Sequence, residues 1–142
     1  MENVDFHKHC LRCGIWCCRG ENPFVTPKEL KELDIDKIGR NPDNSCIFLS
    51  ENKCVVYLKR PFECRMYPFD ILKIEEKYMW VLWYACPVIR FANLEENFNN
   101  FEKNLLNNYS KEFIQDYVRY HEKTLNKKYD NIKFKIIREV NF

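Results

Sequence analysis

The sequence predicts an α+β fold, a small cysteine-rich region with short antiparallel strands around a metal or cluster site, followed by C-terminal helices. Three observations lead there. Cysteines stand at positions 10, 13, 17, 18, 46, 54, 64 and 86, and the last 56 residues contain none. Between the later cysteines, short runs rich in β-branched and aromatic residues alternate with clusters of turn formers. Past residue 90 the apolar residues fall at helical spacing instead. With 142 residues, 46% of them hydrophobic, the chain can bury a core without covalent help. A single domain over 1–142 is expected, comprising a cysteine-cluster region at 10–87 and a helical part with a final strand at 88–142.

The elements follow in order. Thr26-Pro27-Lys28-Glu29 combines an N-cap threonine, a proline at the first helical position and a glutamate placed for a capping box. A short helix should follow, turning Leu30 and Leu33 inward and fading before Gly39. GRNPDNS, residues 39–45, reads as a loop. Cys46–Leu49 and Cys54–Tyr57 read as a hairpin joined by Ser50-Glu51-Asn52-Lys53. Arg60-Pro61 opens one helical turn through Cys64 and Arg65, which Pro68 ends, because the residue before proline avoids helical angles. Phe69–Ile74 and Tyr78–Tyr84 flank the charged turn Glu75-Glu76-Lys77 as an antiparallel pair. The second run is apolar on both faces and should be a central or well-covered strand. Leu94, Phe98, Phe101, Leu105 and Leu106 mark one helix. Ser110 caps another, with Phe113, Ile114, Tyr117, Val118 and Leu125 on its apolar face. Residues 132–140, IKFKIIREV, alternate as an edge strand.

A formal net charge of +2 leaves no footprint for duplex DNA or an anionic membrane, so neither nucleic acid nor membrane is an expected partner. The longest apolar run, YMWVLWYAC at 78–86, is too short to cross a bilayer. A cytoplasmic location is expected, and a reducing compartment disfavours four disulfides. Only three glycines occur, with no phosphate-cradling motif. The acid pairs Glu75-Glu76 and Glu95-Glu96 read as solvated turn or helix-start charges.

The thiols carry the chemistry. In CLRCGIWCCRG, Cys10 and Cys13 have the C-x2-C spacing that turns two thiolates toward one centre, and Cys17 follows within reach of it. Adjacent Cys17 and Cys18 cannot both bind one tetrahedral ion in relaxed geometry, so one of them is expected to face elsewhere. Two four-thiolate zinc sites, two iron–sulfur clusters, or one cluster with spare thiols all remain open. Either kind of centre carries negative charge, which Arg12, Arg19, Lys59, Arg60 and Arg65 can offset. Arg60 and Arg65, hemmed in by prolines and aromatics, are the cofactor-binding candidates. His7 and His9 suit a solvated arm, and His121 a surface or packing role. Tyr57, Phe62, Tyr67, Phe69, Trp80, Trp83 and Tyr84 read as core, with one or two able to screen a cluster from water.

The ordered series C-x2-C-x3-C-C, C-x-F-L, C-x2-Y, R-P-x2-C-R-x-Y-P-F and C-P over residues 10–87 resembles the YkgJ-like cysteine-cluster family, described as a zinc- or iron-chelating domain. The resemblance implies that Cys10, Cys13, Cys17, Cys18, Cys46, Cys54, Cys64 and Cys86 are metal ligands. Arg60, Pro61, Arg65, Tyr67, Pro68 and Phe69 are its accompanying signature. It is also similar to the cysteine cluster of the longer flagellin lysine N-methylase, whose methyltransfer does not carry over. Taken together, the sequence points to an iron–sulfur protein, with a 4Fe-4S cluster, acting in electron transfer or another redox reaction with a partner of unknown identity. A zinc-stabilised interaction module, or a metal storage or delivery protein, is the alternative.

Overall fold

The structure, a computed structural model, describes residues 23–51, 53–84, 96, 98–128 and 134–142, with side chains of the last helix described through Glu122. The chain divides into two compact units at Tyr67 and Pro68. That boundary lies well before residue 90, where the composition shifts. The architecture is an α+β mix of small antiparallel sheets and helices.

In the first unit, α1 (Pro27–Glu32) begins with the full capping box. Thr26 Oγ1 accepts from the Glu29 amide, and the Glu29 carboxylate accepts from the Thr26 amide. The helix ends where Asp34 turns left-handed, at φ 56°, and the Ile35 amide reaches back to the Leu30 carbonyl at 3.1 Å. Leu30 and Leu33 are only half-buried, and the buried residue of α1 is Glu29. The reason is a distant partner: its second carboxylate oxygen accepts from the Phe62 amide at 2.5 Å.

The first hairpin differs from the sequence expectation. β1 (Leu49–Ser50) and β2 (Lys53–Cys54) pair with Leu49 opposite Cys54 and Ser50 opposite Lys53. Ser50 and Lys53, expected in the loop, are therefore in the ladder. Cys46 makes an isolated bridge to Arg40 instead of starting a strand. Beyond Val55 the chain leaves the ladder for a 3₁₀ turn at Tyr57–Lys59. α2 (Phe62–Met66) follows, and Tyr67 leaves it at ψ 131°, as the proline after it requires.

The second unit is built on β3 (Phe69–Ile74), β4 (Lys77–Trp83) and β5 (Phe134–Glu139), in the order β3-β4-β5 and all antiparallel. β4 is central, as its two-faced apolar pattern predicts. The connection from β3 to β4 is a two-residue turn in which Glu75 and Glu76 both have positive φ, 50° and 66°. β5 is an edge strand, with a bulge opposite Trp80 and Val81. α3 (Phe98–Asn108) and α4 (Lys111–Lys128) complete the unit. Ser110 caps α4 by accepting from the Phe113 amide at 3.1 Å.

Register assigns the two helices to opposite faces. Phe69 opposes Leu82 and Ile71 opposes Trp80, so these four share a face. Phe98 and Phe101 of α3 stack on Phe69 and Trp80 there, with ring centroids 5.0–5.7 Å apart. Asp70 and Trp83 lie on the other face, where Tyr117 of α4 donates to Asp70 at 3.0 Å. Covering both faces explains why Trp80 and Val81 are fully buried.

Each face of this sheet also buries a carboxylate. Glu102 accepts from the Trp80 indole, from both terminal nitrogens of Arg138 and from the Asn141 amide. Asp70 accepts from Tyr117, from the Trp83 indole at 3.1 Å and from the Ile71 amide, with His121 Nδ1 at 3.6 Å. His121 therefore has the packing role rather than the surface one. Trp80, Phe62 and Phe69 are core, whereas Tyr84 is half exposed. Glu75 and Glu76 are solvated turn charges, and Glu96 is exposed.

Candidate metal centre

Three of the predicted thiols are described: Cys46, Cys54 and Cys64, all in the first unit. Cys46 is buried, and the other two are half-buried. Cys10, Cys13, Cys17, Cys18 and Cys86, along with His7, His9, Arg12, Arg19 and Glu95, lie outside the described residues.

Cys46 is presented by the 39–45 loop, which is organised around Asn41. Its side-chain nitrogen donates to the carbonyls of Cys46 at 2.8 Å and Leu49 at 3.1 Å, and to Ser45 Oγ. Asp43 Oδ1 accepts from both the amide and the hydroxyl of Ser45, while the Arg40 guanidinium donates to the Asn44 carbonyl. The Leu49 amide then returns to the Cys46 carbonyl at 2.9 Å, and Leu49 faces Cys54 across the ladder. Short local bonds thus join the Cys46 loop to the Cys54 strand.

Cys64 is at the middle of α2. Arg65, next to it, donates from Nε to the Arg60 carbonyl at 2.9 Å and from Nη2 to the Leu58 carbonyl at 2.7 Å. Arg60 donates from Nε to the Tyr57 carbonyl at 2.8 Å and lies over the Tyr57 ring, 3.7 Å from its centroid. The two arginines read as cofactor-binding therefore direct these donors at backbone carbonyls.

Carboxylates tie the same helix to the start of the described chain. Glu63 accepts from the Phe24 amide, and Glu29 accepts from Phe62. Phe24 is six residues beyond Cys18, a span of at most about 22 Å even if fully extended. Phe24 is thereby held at the residue before Cys64. Neither acid was legible as a site residue, since the capping box explains Glu29 locally and nothing in sequence links residue 63 to residue 24.

The donor set suits a soft metal. Three thiols share a unit that has no histidine among its described residues, and Lys53, Lys59, Arg60 and Arg65 outnumber Glu51 and Glu63 in the stretch around Cys54 and Cys64. Thiolate ligands to zinc or an iron–sulfur centre need such cations nearby, while magnesium and calcium would need oxygen donors.

These features define a cysteine-cluster, metal-chelating domain. The chain belongs to the CxxCxxCC family, described as a "putative zinc- or iron-chelating domain", which matches residues 9–87, more than half of its length. Three residues, rather than the two of the family's label, separate Cys13 from Cys17 here. No solved structure matches the chain. Among the described residues, no helix is long and apolar enough to cross a membrane.

Proposed function

We propose that this metal-binding domain is an iron–sulfur protein that carries electrons to or from a protein partner. A 4Fe-4S cluster would be held by four of Cys10, Cys13, Cys17, Cys18, Cys46, Cys54, Cys64 and Cys86. The observation that carries this reading is a thiol-only donor set next to cationic side chains. Bound, such a cluster supplies one-electron redox chemistry. The chain's own residues do the holding: Asn41 shapes the Cys46 loop, β1 and β2 place Cys54, and α2 places Cys64. Glu63 holds Phe24, six residues after Cys18, to the same helix, and Glu29 ties α1 to it.

Anaerobic purification followed by iron and sulfide analysis, with an absorption spectrum, tests the proposal. Stoichiometric iron and acid-labile sulfide in a brown protein are expected. A colourless protein with stoichiometric zinc overturns it and favours a second reading, a zinc-stabilised interaction module. The observation behind that alternative is the apolar exposure around the thiols: Ile47 and Val55 directly follow Cys46 and Cys54, and Leu58 is 86% exposed. In that case chelation should unfold the cysteine-bearing unit, because metal binding would supply its folding energy.

A further inference from the structure

Cys54 and Cys64 are separated by nine residues, enough chain to carry them about 30 Å apart if extended. The segment is instead folded back on itself. Val55 still pairs with Phe48, the amides of Lys59 and Arg60 return to the carbonyls of Val56 and Tyr57, and Phe62 is fixed by Glu29. The remaining carbonyls at the end of the 3₁₀ turn, Leu58 and Arg60, point to neither a strand nor a continuing helix. Both are taken by one side chain, Arg65, at 2.7 and 2.9 Å. That side chain belongs to the residue after Cys64. The turn following one thiol is thus clamped by the neighbour of the other.

From this geometry we infer that Arg65 is a positioning residue of the metal centre: its fork sets the spacing of Cys54 and Cys64 so that both thiols bind the same centre. The inference rests on the metal-binding reading above and adds to it which two thiols are shared. Two carbonyls at different points of a turn require two donors held in one rigid plane, which guanidinium provides and an ammonium does not. Arg60 supports the clamp by stacking on Tyr57, leaving its own carbonyl to Arg65.

The test uses the full chain, purified anaerobically, with Arg65→Gln, Arg65→Lys, Cys54→Ser, Cys64→Ser and the Arg65→Gln/Cys64→Ser double variant. Metal release to a chelator is timed. Stripped protein is then refilled with Co²⁺, and thiolate-to-cobalt absorption per bound cobalt is read. Release from both Arg65 variants should be about 10- to 100-fold faster than wild type, the usual cost of losing a group that orients a ligand. Absorption per cobalt should fall in both, as it should in each cysteine variant. In the Cys64→Ser background, Arg65→Gln should add almost nothing, because the residues act as one unit. Wild-type release and absorption in Arg65→Lys would overturn the inference, as would an Arg65→Gln effect that persists undiminished without Cys64. Should Arg65→Gln fail to fold by circular dichroism, Arg65→Lys, which keeps charge and stem, carries the same comparison. A wild type that holds no metal and takes up no cobalt would instead refute the metal reading on which the inference stands.

Discussion

The side-chain nitrogen of Asn41 is shared among Ser45, Cys46 and Leu49 in the first unit. Replacing Asn41 with alanine takes a donor from the Leu49 carbonyl and one of two from the Cys46 carbonyl, which keeps the Leu49 amide, and should cost about 1 kcal/mol in denaturant unfolding. Asn41→Asp, which keeps the shape but removes both donors, should cost at least as much. In the second unit, Glu102 is buried while Arg138 reaches solvent. Breaking a fully buried pair costs more, but Arg138 can rehydrate, so Glu102→Ala should cost about 2–3 kcal/mol, mainly through the stranded Trp80 indole. Urea unfolding followed by circular dichroism measures it. These residues were invisible to sequence reasoning for a common reason. Asn41, Glu63, Asp70 and Glu102 find partners 5 to 47 positions away, and no local pattern announces such partners.

Caps and central strands, by contrast, were legible because their causes are local. Thr26, Pro27 and Glu29 specify the start of α1 within four positions, and Thr26→Ala should cost about 1 kcal/mol by thermal or chemical unfolding. Ser110 and the apolar run of β4 were equally readable. The first hairpin was misplaced because β-propensity at Val55, Val56 and Tyr57 lost to a turn whose carbonyls Arg60 and Arg65 capture. The β3-β4 turn makes a prediction of its own. Both of its residues are glutamates in the left-handed region, where each non-glycine residue costs roughly 1–2 kcal/mol. Asn-Gly is the pair that this geometry favours. Glu75→Asn with Glu76→Gly also breaks the Lys73–Glu76 ion pair, 3.1 Å long, but its glutamate is exposed and the pair is weak. The backbone term should win, and the double variant should gain about 1 kcal/mol in equilibrium unfolding.

For the molecule as a whole, the family pattern and the folding units do not coincide. The signature R-P-x2-C-R-x-Y-P-F crosses the boundary at Tyr67 and Pro68, and the family match ends at residue 87, after β4 and before α3, α4 and β5. The family's shared segment therefore contains a hairpin whose two faces and outer edge are completed only by what comes later. Phe98 and Phe101 cover Trp80, Tyr117 satisfies Asp70, and β5 supplies the third strand. A gene cut after residue 87 would encode every cysteine yet strip the shelter from β4, the most apolar strand among the described residues. Its product should bind hydrophobic dyes and aggregate where the full chain does not. A chain that keeps the cysteine motif must bring its own cover for this hairpin, and the sequence beyond residue 87 can change freely only among segments that roof it.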